Sequence, residues 1–139
     1  MLLLDTHVWI WGVGEDAHRV GRRARQLLSR AESHDDIRIS TATVFEVAAL
    51  HTAGRLRLAH PLEQWIRHAL EGPGVRIAEL SPAIAIDAGS IPRSALADPV
   101  DRLLVATAGQ LDATFLTSDT RILDYASDTG NVRVHDASV

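Results

Sequence analysis

Short apolar runs in this chain give way abruptly to acids at the starts or early turns of helical stretches, and few folds accommodate that pattern. Met1-Leu2-Leu3-Leu4 ends at Asp5, and Ala113-Thr114-Phe115-Leu116-Thr117-Ser118 ends at Asp119. Ile37-Arg38-Ile39-Ser40 leads into a helix that carries Glu46, while Asp98-Pro99 opens a long helical run with Asp101 in its first turn. In an open parallel sheet, the carboxyl ends of the strands and the helix starts beside them face one crevice. Carboxylates gathered there repel one another unless some protonate or a cation joins them. Oxygen-only ligands favour Mg²⁺ or Mn²⁺ over softer metals. The pattern therefore predicts a metal-dependent site that acts on phosphoesters.

Period and punctuation predict the elements between these acids. Strands are expected over residues 1–5, 37–40, 75–80, 114–117 and 132–135, with a short helical turn through Trp9 and Trp11. Val20, Ala24, Leu27, Leu28 and Ala31 recur at helical spacing and predict a helix from Ala17 to Ser33. Ser40 or Thr41 caps a helix to about Thr52, ended by Gly54. Pro61 precedes a helix from Leu62 to Leu70, closed by Gly72-Pro73-Gly74, and Pro82 starts another through Gly89. Asp98–Leu111 and Thr120–Ala126 complete the set. Strands alternating with helices imply a three-layer α/β/α sandwich with a mainly parallel central sheet. No repeat, linker or low-complexity tract divides the chain, so one domain over residues 1–139 is expected.

Composition narrows the chemistry. There is no cysteine among the 139 residues, which excludes disulfides, zinc thiolates and thiol nucleophiles. All 14 basic residues are arginine; a lysine Schiff base, a Walker-type lysine and a receiver-type phosphorylation site are thereby removed. A net charge of −4 argues against a passive nucleic-acid coat, which needs a basic face. It suits an acidic crevice that takes up metal before meeting phosphate. With neither a signal-peptide pattern nor a bilayer-length apolar stretch, a cytoplasmic protein without a membrane segment is expected. The seven histidines show no metal-ligand spacing, and no Gly-x-Gly-x-x-Gly joins a strand to a helix.

Each acid also has a plainer reading. Asp5 and Asp119 suit helix N-caps. Asp98 followed by Pro99 is a strong helix start, and Asp101 three residues on resembles a capping box. Glu46 lies among Ala42, Thr43, Ala49 and Leu50 with no charge partner in reach, and a buried unpaired glutamate is costly. Asp87, in an apolar helix, is read as a buried structural acid. Trp9, Trp11 and Trp65 read as core or interface. Arg102 and Arg121 are open to substrate phosphate or to a local ion pair.

Taken in order, Leu2-Leu3-Leu4-Asp5-Thr6-His7, Ser40-Thr41-Ala42-Thr43-Val44-Phe45-Glu46-Val47-Ala48, Asp98-Pro99-Val100-Asp101-Arg102-Leu103-Leu104-Val105-Ala106-Thr107-Ala108 and Leu116-Thr117-Ser118-Asp119 resemble the PIN-domain ribonucleases, specifically the VapC-type toxins of bacterial toxin–antitoxin pairs. The resemblance implies an acidic quartet of Asp5, Glu46, Asp101 and Asp119, with Asp98 as accessory ligand. It further implies Mg²⁺ or Mn²⁺ as cofactor, RNA as substrate, a homodimer and a small antitoxin protein as partner. The competing expectation is a non-catalytic, partner-binding α/β domain whose acids serve only as caps.

Overall fold

A computed structural model describes residues 1–139. Its strands are β1 (Leu2–Leu4), β2 (Ile37–Ser40), β3 (Val75–Ala78), β4 (Thr114–Thr117) and β5 (Arg133–Asp136). Its helices are α1 (Thr6–Val13), α2 (Arg22–Glu32), α3 (Thr41–Thr52), α4 (Leu62–Leu70), α5 (Pro82–Gly89), α6 (Pro99–Leu111) and α7 (Thr120–Thr129). The strands form one sheet in the order β3-β2-β1-β4-β5, and every neighbouring pair is parallel.

Side-chain alternation along the central strands builds a core on each face. Leu2 and Leu4 join Ile37, Ile39 and Leu116 under Val8, Trp9, Ala24 and Trp65. Leu3 and Phe115 point the other way, under Leu104, Val105, Ala108, Ile122 and Tyr125. All three residues of β1 are buried, as a strand covered on both faces must be. Helix α3 bridges the two cores, sending Val47 into the first and Ala42 into the second. Helix α5 packs on α6 through Ile84, Ala88 and Ala106. These layers make up the expected α/β/α sandwich.

The chain moves outward from β1 through β2 to β3, then returns to pair β4 on the opposite side of β1. This reversal places a topological switch point at the carboxyl ends of β1 and β4, where an open α/β sheet forms its crevice.

Six expectations need correction. The helix expected from Ala17 to Ser33 is broken: Ala17–Arg19 forms a 3-10 turn, and α2 begins only at Arg22. The cause is a tertiary contact at Gly21, whose amide donates to the Ala137 carbonyl at 2.8 Å, while the Ala24 amide donates to Val139 at 2.9 Å. The segment after β5 thereby satisfies donors at the start of α2 that a continuous helix would have used internally. The turn through Trp9 and Trp11 is a full eight-residue helix. Asp87 is exposed, not buried, and accepts a hydrogen bond from Gln110. The strand expected over 75–80 stops at Ala78, α7 runs on past Ala126 to Thr129, and the last strand is shifted to Arg133–Asp136.

A Cβ at Gly21 would stand 2.3–2.4 Å from the Ser138 and Val139 backbone, whereas one at Gly109, inside α6, would meet nothing within 4 Å. Gly21→Ala is therefore expected to destabilise the fold by about 2–3 kcal/mol, and Gly109→Ala to stabilise it by about 0.5–1 kcal/mol, in urea unfolding.

Candidate metal centre

Asp5 leaves β1 as the N-cap of α1, with Oδ1 accepting from the Thr6 amide at 2.8 Å. Its second oxygen, Oδ2, accepts from the Thr117 hydroxyl at 2.7 Å. The same Thr117 Oγ1 accepts from the Asp119 amide at 3.0 Å. One buried hydroxyl thus connects the ends of the two strands that flank the switch point. Thr117 was missed in the sequence; its only signal was a hydroxyl at a strand end two residues before an acid.

Asp119 caps α7 through Oδ1 and the Arg121 amide at 2.9 Å, and its carboxylate also pairs with the Arg121 guanidinium at 3.2 Å. Asp98 caps α6, accepting from Val100 at 2.8 Å and Asp101 at 3.4 Å. The cap readings of Asp5, Asp98 and Asp119 are therefore correct. They do not exhaust the carboxylates, because each ionised group offers about four lone-pair positions.

Asp101 and Glu46 behave differently. Asp101, 7 % exposed, is not an N-cap, and the reciprocal bond of a capping box is absent. Burial first, and then the charges of Asp98, Asp5, Asp119 and Glu46, push its pKa from 3.8 to about 7. Glu46 is half-buried on α3; burial raises its pKa, with Asp5 and Asp98 adding to the rise. The Thr6 hydroxyl and His7 pull in the opposite direction. Thr6 Oγ1 is buried and has no hydrogen-bond partner in the structure. Asp5 is raised by burial too, opposed by Thr117, Thr6 and His7. Arg121 is held above its ordinary value by Asp119.

These influences show that the fold brings all five acids to one place: Asp101 feels the other four. Among the five acids only Asp119 is held in an ion pair, with Arg121. No three His, Asp or Glu side chains are grouped closely enough in this structure to hold a metal ion between them. The donor chemistry, hard oxygens with no sulfur or imidazole partner set, fits Mg²⁺ or Mn²⁺. The better-formed cavities of the fold are lined by residues other than these acids.

Comparison with known sequences decides the family: the PIN domain matches residues 2–128. The chain belongs to the PIN-domain family. Ribonuclease VapC22 of Mycobacterium tuberculosis is 33 % identical over 121 residues, covering 87 % of this chain and 88 % of that protein. Among solved structures, DNA-bound VapBC from Salmonella typhimurium superposes with a TM-score of 0.67 at 20 % identity, covering 97 % of this chain and 96 % of the other. FitAcB from Neisseria gonorrhoeae gives 0.64 at 25 % identity, covering 99 % and 98 %. The first of these likenesses is one of fold. The PIN match ends at residue 128, before β5, which nonetheless pairs with β4 over four residues.

The raised acids dictate how stability of this PIN domain depends on pH. In the metal-free state the folded chain retains a proton on Asp101 that the unfolded chain has released, so stability is greatest at low pH and is lost as pH rises from about 4 to about 7. Asp5 and Glu46 act in the same direction. Asp101→Asn removes this penalty and is expected to be more stable than wild type by about 2 kcal/mol at pH 8 in EDTA, with little difference near pH 4. Thermal melts across that range measure the difference; identical pH profiles for the two proteins would contradict the raised pKa.

Proposed function

We propose that this chain is a divalent-metal-dependent endoribonuclease, the toxin of a toxin–antitoxin pair, which hydrolyses RNA phosphodiester bonds. One observation carries the reading: Asp101 is buried and feels four other carboxylates, and Asp119 is the one acid of the five held in an ion pair. Membership of the PIN family and the likeness to a VapC ribonuclease support it.

In this mechanism Asp5, Asp101 and Asp119 hold the metal, Glu46 ligates it or orients the attacking water, and Asp98 is an accessory ligand. When bound, Mg²⁺ or Mn²⁺ lowers the pKa of that water and stabilises charge building on the phosphoryl oxygens. Asp5 is kept in one orientation by the Thr6 amide and the Thr117 hydroxyl. Asp101 gives up the proton that burial and its neighbours favour, and becomes a charged ligand. Arg121, three-quarters exposed and resting on Asp119, would be placed to contact the substrate phosphate.

A small antitoxin that covers the crevice, a homodimer and a cytoplasmic location belong to the same reading. Phe45 on α3 and Ile86 on α5, 64 % and 68 % exposed, supply apolar surface for such contacts. No helix is long and apolar enough to cross a membrane.

The cap geometry of Asp5, Asp98 and Asp119 favours a second reading, a partner-binding domain in which these acids only terminate helices. Two experiments separate the readings. Asp5→Asn and Asp101→Asn preserve shape, and Asn also caps helices. Each variant is expected to lower RNA cleavage by roughly a hundredfold or more while circular dichroism stays unchanged. Cleavage that survives in both variants and in excess EDTA would sink the metal mechanism. In calorimetry, Mn²⁺ is expected to bind saturably to wild type and more weakly to Asp5→Asn, whereas the cap reading gives no binding to either.

A further inference from the structure

One face of α1 leads outward from the acidic crevice. His7 lies two residues beyond Asp5, is exposed, and is near enough to Asp5 and Glu46 for its charge to act on both. One helical turn further, about 6 Å along the axis, comes Trp11. The two rings are 6.4 Å apart with their planes inclined at 53°. Above the indole, at 4.9 Å, sits the guanidinium of Arg19, carried by the exposed turn that follows α1.

The three tryptophans thus part company. Trp9 and Trp65 are buried and meet edge to face at 5.3 Å, which core packing explains. Trp11 is half-buried, packed on the core from one side and open on the other. Arg19 takes part in none of the ion pairs of the structure, although the chain carries more acids than arginines. Its guanidinium rests on an aromatic ring instead, a weak contact at an exposed site. Arg22 and Arg23 at the start of α2 are exposed as well. An imidazole, an indole and an unpaired cation in line from a phosphodiester site are the components of a nucleotide subsite.

We propose that Trp11 and Arg19, with His7 between them and the crevice, hold a nucleotide flanking the scissile phosphate of single-stranded RNA. This inference rests on the nuclease reading above. The base stacks on the Trp11 ring, and Arg19 swings from the indole to the phosphate of that nucleotide. A single strand is required because only unstacked bases expose a face to the protein. Stacking accepts any base, so the subsite sets strand type and register, not sequence. Trp11 and Arg19 are positioning residues that do not touch the reacting atoms.

The test is steady-state cleavage in Mn²⁺ of a single-stranded RNA oligonucleotide and of the same oligonucleotide carrying one abasic position, scanned along its length. Trp11→Ala is expected to raise KM about tenfold, with Trp11→Phe recovering most of the loss. Arg19→Ala raises KM and flattens the log–log salt dependence by about 0.7, one single-strand phosphate contact. In wild type, one abasic position near the cut reproduces the Trp11→Ala loss, and in Trp11→Ala that position costs nothing more. If wild type cleaves RNA but no abasic position matters, the subsite is overturned, and this arm does not depend on how any variant folds. Equal losses in Trp11→Ala and Trp11→Phe, or an unchanged KM in Trp11→Ala, also overturn it. Absence of cleavage by wild type removes the nuclease reading and the subsite together.

Discussion

The hydroxyl of Thr117 is the interaction on which the site depends. It donates to Asp5 and accepts from the amide of Asp119, so one side chain fixes the ends of β1 and β4 relative to each other. Parallel pairing alone sets the register of these strands, with Leu4 opposite Leu116, but it says nothing about where the first residues beyond the sheet point. The hydroxyl supplies that information. It also partly offsets the cost of burying Asp5, whose ionised form gains the bond. Without it the first acid of the crevice would be both more mobile and harder to ionise.

Around that link the structure stores electrostatic strain. Asp5, Glu46 and Asp101, brought together from β1, α3 and α6, oppose folding as each loses its proton. Hydrophobic layers on both faces of the sheet hold the arrangement against that opposition. This division of labour is usual where a site must bind strongly charged ligands: the core supplies stability, and the crevice spends part of it. The degree of protonation then sets how much of the ligand's binding energy is consumed in expelling protons.

Much of this was legible in the chain. Strand–helix alternation announced the sandwich, and the acids at Asp5, Asp98 and Asp119 were recognised as caps because Asp before a helix has few other uses. What no local pattern could show was the order in which the strands join the sheet, which decides which segments lie beside one another. The break at Gly21 was hidden for the same reason: the residues that compete for its amide lie more than a hundred positions away. Asp87 was misjudged because α5 is apolar nearly all round, and sequence alone does not say which side stays uncovered. The roles of Thr117 and Trp11 depended on neighbours brought by the fold.

None of the better-formed cavities includes the five acids, and this bears on what could occupy such a site. A compact apolar drug finds no enclosure there to desolvate it, so grip must come from chelating groups or from a long chain laid across the surface. A protein segment meets that requirement better than a small molecule does. Control by an extended polypeptide is the natural solution for a groove of this kind.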